Sequence, residues 1–88
     1  MNVSYNKRFL KDLSNIQGEI KHRIQDIVFE QIPQARKIQE IDGLKKIKGF
    51  SGYYRLRLSD YRIGIRVERE KVVFCRVLHR KDIYRYFP

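Results

Sequence analysis

The sequence predicts a single α+β domain spanning residues 1–88: an N-terminal helical hairpin packed on a small, mainly antiparallel sheet of about four strands, closed by a short C-terminal helical turn. Three observations predict it. Apolar residues in the first half recur at helical spacing, and the last third alternates apolar and polar side chains with period two. At 88 residues the chain is long enough for one modest core and no more.

Asn2–Tyr5 is too short to assign from pattern and fits at most an opening strand. Tyr5, Phe9, Leu10, Leu13 and Ile16 follow helical spacing, with Ser4 or Asn6 able to cap and Gly18 breaking the run. A second helix is expected from about Glu19 to Gln31. Ile20, Ile24, Ile27 and Val28 form its apolar face, Lys21, Arg23, Gln25, Asp26 and Glu30 its polar one, and Pro33 ends it. His22, between Lys21 and Arg23, reads as a solvated surface residue. Two histidines and one cysteine cannot supply a zinc-ligand set at ordinary spacing, so no metal is expected.

Between Gln34 and Ser51, Ile38, Ile41, Leu44 and Ile47 recur every three residues, which suggests a loose turn or short helix on the core. Lys45, Lys46 and Lys48 form a basic run there. It is either a solvated loop or a set of flexible phosphate contacts.

The strands follow. Tyr54, Leu56 and Leu58 alternate with Tyr53, Arg55 and Arg57, and Tyr61, Ile63, Ile65 and Val67 alternate with Arg62, Gly64, Arg66 and Glu68. A hairpin turning at Ser59–Asp60 sets Leu58 opposite Tyr61, Leu56 opposite Ile63 and Tyr54 opposite Ile65. The same register opposes Arg57 and Arg62, which destabilises a sheet unless solvent or an anion intervenes. The third strand, Val72–Arg80, is apolar on both parities. Pointing Arg76 inward would bury a charge. The expected core face is therefore Val73, Cys75 and Val77, after a three-residue turn at Glu68–Arg69–Glu70. Phe74, Arg76, Leu78 and Arg80 then share the outer face with Arg55, Arg57 and Arg62, while His79 stays on the core side. Tyr53 and Phe74 offer rings for base stacking. Asp82–Phe87 forms a short helical turn or tail, and if it folds back Tyr84 reaches the arginines.

Charge agrees with an anionic partner. The chain has 20 Lys and Arg against 10 Asp and Glu, net +10, and the stretch after Gly52 alone has 10 basic residues against 4 acidic. Such a field speeds encounter with polyanions, nucleic acid or an acidic protein alike. The single Cys75 excludes an internal disulfide and fits a reducing compartment. No apolar run nears the ~20 residues that span a bilayer, and Met1–Asn2–Val3–Ser4 does not begin a signal peptide. A soluble cytoplasmic protein is the expectation.

The stretches LKKIKGFSGYYRLRLSDYRIGIRVE and VVFCRVLHRKDIYR resemble the RelE/ParE toxin superfamily, most closely its RelE branch of ribosome-dependent mRNA interferases. The resemblance covers nearly the whole chain. It implies the RelE-like fold, with an RNA-cleaving site on the sheet face away from the helices and an acidic cognate antitoxin that wraps the toxin. It further implies mRNA in the ribosomal A site as substrate, no cofactor, no membrane, and contact with DNA only through the antitoxin.

The family's site positions fall here on Arg55 and Arg57, Arg62, Arg80 and Tyr84. The best-known member has lysines at the first two. Arginine stays protonated near neutral pH, so phosphate clamping survives the exchange while proton transfer at those positions is disfavoured. The implied reaction is metal-free attack of the RNA 2′-hydroxyl on the adjacent phosphorus. Arg62 and Arg80 are the expected stabilisers of the transition state. Tyr84 is the family-implied base or orienting group, although free tyrosine titrates near 10 and needs the guanidinium field to lower it. His79 is the other candidate acid or base. Arg55, Arg57, Arg76, Lys45, Lys46, Lys48 and Lys81 are the expected RNA contacts. The alternatives are a ParE-like inhibitor of DNA gyrase and a non-catalytic RNA-binding module.

Overall fold

A computed structural model describes residues 1–88. The elements are β1 (Asn2–Tyr5), α1 (Lys7–Ser14), α2 (Glu19–Gln25), a π-helical stretch (Asp26–Gln31), α3 (Ile32–Gln34), a 3₁₀ turn (Ile38–Glu40), β2 (Leu44–Lys46), β3 (Tyr53–Leu58), β4 (Tyr61–Glu68), β5 (Lys71–His79) and α4 (Ile83–Tyr86). The sheet is five-stranded, in the order β1-β5-β4-β3-β2. It is antiparallel except for β1, which runs parallel to β5 along one edge. The sheet thus has more strands than the expected four or so. Both edge strands, β1 and β2, are too short for periodicity to reveal, and β2 is extended where the sequence suggests a turn or short helix.

Tyr5 belongs to β1, so α1 starts later than its spacing suggests. The Asn6 N–H bonds to Phe74 O at 2.9 Å, tying the helix entry to β5. Phe9 and Leu13 face the sheet while Leu10 is exposed. The second helix continues past its expected stop at Pro33, and the π-helical stretch explains how. There each N–H reaches the fifth preceding carbonyl, as Ile32 N–H does to Ile27 O. The next carbonyl in that series, Val28 O, would await Pro33, which has no N–H. The Tyr5 hydroxyl donates to Val28 O instead, at 2.5 Å. β1 thereby fills the position that proline leaves open.

The core joins Phe9, Leu13, Ile16, Ile24, Val28 and Ile32 of the helical layer to Leu56, Leu58, Ile63, Ile65, Val72, Phe74 and Val77 of the sheet. No polar or charged residue is buried in it. The β3–β4 register agrees with the sequence expectation at every pair named above, Arg57 opposite Arg62 included.

The β4–β5 pairing corrects the sequence reading. Its turn has two residues, Arg69 and Glu70, since Glu68 pairs with Lys71, and Arg69 takes φ 55°. A bulge then intervenes. Phe74 pairs with Ile65 and Arg76 with Gly64, leaving Cys75 as the extra residue. One inserted residue reverses parity, so Val72 and Phe74 point inward before it and Val77 after it. The bulge buries Phe74 and Val77 together while keeping Arg76 out, which no regular strand could do. Phe74 is therefore a core residue stacked on Tyr5, with ring centroids 5.0 Å apart, and it offers no ring for base stacking. Cys75 is half-buried at the bulge, and burial pushes its thiol up. Val73 pairs with Arg66 and is buried outside the main cluster.

The C-terminal segment folds back. Ile83 and Phe87 are buried, also outside the main core. Phe87 lies so close over Gly64 that a Cβ there would sit 2.6 Å from its ring. No helix is long and apolar enough to cross a membrane.

Candidate functional site

Residues paired across adjacent strands project from the same face, so the register reads directly as rows. One row runs Lys45, Arg55, Gly64, Arg76 from β2 to β5, and the next runs Arg57, Arg62, Leu78. Lys45, Arg55, Arg57 and Arg62 line a cavity of about 100 Å³ with Gly43, and no hydrophobic residue contributes to its wall.

The hairpin turn organises the cations. Ser59 adopts φ 55°, closing the two-residue loop. The Arg62 guanidinium donates to Ser59 O at 3.0 Å and to Tyr61 O at 2.9 Å, so it is folded onto the turn. The Arg80 N–H donates to Asp60 O at 2.7 Å, holding the end of β5 against the same turn. Desolvation lowers the Arg62 pKa from its ordinary value, and Arg57, Arg55 and Arg80 lower it further. Asp60 is the only acid opposing that shift. It lies 3.9 Å from the Arg80 guanidinium, both side chains well exposed, so it offsets little. The protonated state of Arg62 is thus disfavoured by its neighbours, and an anion placed among them would relieve it.

Tyr84 comes to this cluster from α4. Its hydroxyl accepts a hydrogen bond from Arg55 Nη1, and the Arg55 guanidinium carbon lies 5.7 Å from its ring centroid. The tyrosine is 56% exposed, so its side chain is within reach of a ligand on this face.

Other candidates lie elsewhere. His79 pairs with Tyr61 on the core-side parity, packs edge-on to that ring, and accepts the Lys81 N–H on Nδ1 at 3.2 Å. The structure does not bring it to the guanidinium groups. Lys46 is paired with Tyr54 on the helix side of the sheet. It lines, with Lys48, a separate cavity beside Ile47 and Phe50. Of the three connector lysines, Lys45 alone lines the arginine cavity. Lys81 is exposed at the turn after β5. Arg76 is on the outer face but already partnered. Its Nε and Nη2 bond to the Asp12 carboxylate at 2.7 and 3.1 Å, and that carboxylate also accepts the Val77 N–H at 3.2 Å. Arg76 thus presents itself on the outer face already paired with a carboxylate.

Sequence reasoning misses Asp12, Gly64, Tyr86 and Phe87. Asp12 and Arg76 lie 64 residues apart, beyond any local signal. Gly64 did carry one: a glycine inside an alternating strand marks a close approach, here by Phe87.

Comparison with known proteins agrees with this architecture. The family described as the ParE toxin of the type II toxin–antitoxin system parDE matches residues 3–84. Toxin RelE3 of Methanocaldococcus jannaschii is 44% identical over 89 residues, covering all of both chains. A chain of the RelB–RelE antitoxin–toxin complex from Methanococcus jannaschii superposes with a TM-score of 0.75 at 46% identity, over 96% of this chain and 98% of that one. The intact RelBE toxin–antitoxin complex of E. coli gives a TM-score of 0.63 at 20% identity, over 86% of this chain and 92% of that one, a likeness of fold alone. The chain belongs to the RelE/ParE superfamily of type II toxin–antitoxin toxins, on its RelE branch.

Proposed function

We propose that this toxin is an endoribonuclease that cuts mRNA in the ribosomal A site and so stops translation. One observation carries the reading: Arg55, Arg57 and Arg62 line one cavity with Lys45, the start of the Arg80 turn is pinned to the same hairpin, and the Tyr84 hydroxyl is held by Arg55. Like charges held this close fit an anion with several oxygens, and RNA phosphate supplies one.

The reaction needs no cofactor. The 2′-hydroxyl loses its proton and attacks the adjacent phosphorus, and the bond to the next nucleotide's 5′-oxygen breaks. The products are a 2′,3′-cyclic phosphate and a 5′-hydroxyl, the departing oxygen taking its proton from water. Tyr84, oriented by Arg55, is the group set to accept or direct the 2′-hydroxyl proton. Arg62 and Arg80 face the charge that grows on the phosphorane oxygens, where one such donor is worth ~3 kcal/mol. Arg57 and Lys45 hold the flanking backbone. His79 lies on the other side of the sheet, which favours Tyr84 over it.

The complex of the Methanococcus jannaschii relative with RelB supports a cognate antitoxin for this chain. An acidic one suits its net charge of +10, and DNA would then be reached only through it. Primer extension on a translated mRNA, with and without induction of the toxin, tests the reading. New 5′ ends that depend on translation are expected, and none would refute it. The ParE description of the matching family favours a second reading, inhibition of DNA gyrase. Loss of supercoiling by purified gyrase, with mRNA left intact, would establish that one instead.

A further inference from the structure

Helix α4 has four residues, too few to hold a helical turn in water unaided. Its placement comes from three contacts on one row of the sheet. Phe87, just past its end, covers Gly64 of β4. Tyr86 stacks over Arg76 of β5, with the guanidinium 5.2 Å from its ring centroid. Tyr84 meets Arg55 of β3. Arg55, Gly64 and Arg76 are cross-strand partners, so α4 straddles the central strand of the three. Two residues of helix are ~200° of rotation, so Tyr84 and Tyr86 must leave opposite sides of the turn. Seating Tyr86 on β5 therefore turns Tyr84 towards β3.

What holds Arg76 in place is Asp12. The Arg76 side chain is 16% exposed and that of Asp12 10%, and the pair is bidentate. Asp12 also receives the Val77 N–H. Its bond is the largest influence raising the Arg76 pKa, with Tyr86 contributing. The acid comes from α1, on the edge of β5 beyond the stretch that pairs with β1.

We infer that Asp12, Arg76 and Tyr86 are positioning residues for the proposed reaction: they clamp α4 in the one rotation that delivers the Tyr84 hydroxyl to Arg55. The inference rests on the ribonuclease reading for its consequence in cleavage, but not for its geometry.

The test therefore has two readouts. The first is independent of activity: the ¹³Cζ resonance of Tyr84 in tyrosine-labelled protein, with amide exchange across residues 83–87. Tyr86→Ala and Asp12→Asn are expected to move that resonance towards free tyrosine and to speed exchange in α4 by about 10-fold. Tyr86→Phe keeps the ring and should restore the parental spectrum. Asp12→Asn retains an acceptor for Val77 and so preserves the strand edge. The second readout is single-turnover cleavage on programmed ribosomes. Tyr86→Ala should lower the maximal single-turnover rate by about 10- to 100-fold with the half-saturating concentration little changed, as for a misplaced group. An unmoved Tyr84 resonance in both damaging variants, or a Phe variant as damaged as the Ala one, would overturn the clamp. Should the parent protein cleave nothing, the ribonuclease reading fails, and the resonance still decides the clamp.

Discussion

Arg57 and Arg62 stand directly opposite each other across the β3–β4 hairpin, a like-charge pair in a position where strands ordinarily place attraction. Arg62 is bonded to the turn through Nη1, which holds it in the pair. The hairpin keeps this arrangement at a cost, and the cost has a use if a phosphate sits between them.

That trade is measurable. Arg57→Ala should stabilise the free protein by about 0.5 kcal/mol, the scale of one cross-strand charge pair, seen as a higher urea midpoint. The same change should weaken cleavage. A variant that is both less stable and fully active would contradict the pairing of strain with function.

The proposed catalytic roles can be told apart by mutation. Tyr84→Phe and Arg62→Ala are each expected to reduce cleavage on translating ribosomes, the arginine by about 100-fold, as for loss of one oxyanion donor. His79→Ala should keep most activity, because its ring packs on Tyr61 across the sheet from the guanidinium groups. Abolished cleavage in His79→Ala with an unaffected Tyr84→Phe would reverse the roles.

Gly64 links the fold to the proposed chemistry through Phe87. Adding a methyl group there collides with Phe87 at 2.6 Å, and an aromatic ring wedged over a strand cannot retreat without lifting the tail. Gly64→Ala is expected to expel Phe87, cost about 1–3 kcal/mol as overpacking does, and free α4. Cleavage should fall more than stability alone explains at temperatures where the variant remains folded. Limited proteolysis at Arg85 would report the released tail.

The parts legible in the sequence share a physical reason. A two-residue turn at Ser59–Asp60 leaves one register open to alternating strands, so the opposition of Arg57 and Arg62 follows from the sequence alone. The β5 faces do not follow, because Val72–Leu78 is apolar on both parities and only the bulge at Cys75 reconciles them. Strands of three and four residues leave too little pattern, which hides β1 and β2. The Asp12–Arg76 pair joins distant parts of the chain, and neither residue looks unusual where it stands. Hence the arginine row is readable in advance, while the means by which Tyr84 is aimed at it is visible only in three dimensions.

The Tyr5 hydroxyl joins β1 to the π-helical stretch through the Val28 carbonyl. Burial, with Glu30 adding to it, raises the Tyr5 hydroxyl above its ordinary 10.0. The folded protein therefore holds that proton more tightly than the unfolded chain does. Its contribution to stability is complete below the unfolded value and is lost as pH rises through the folded one. Tyr5→Phe removes the donor and leaves the Val28 carbonyl, which Pro33 cannot serve, without a partner. At pH 7 the variant should be about 1–2 kcal/mol less stable by urea unfolding. The gap between the two proteins should hold to about pH 9 and narrow above pH 10, because only the parent has this hydroxyl to ionise. A gap constant to pH 11, or none at pH 7, would show that the π-helical turn keeps its shape without β1.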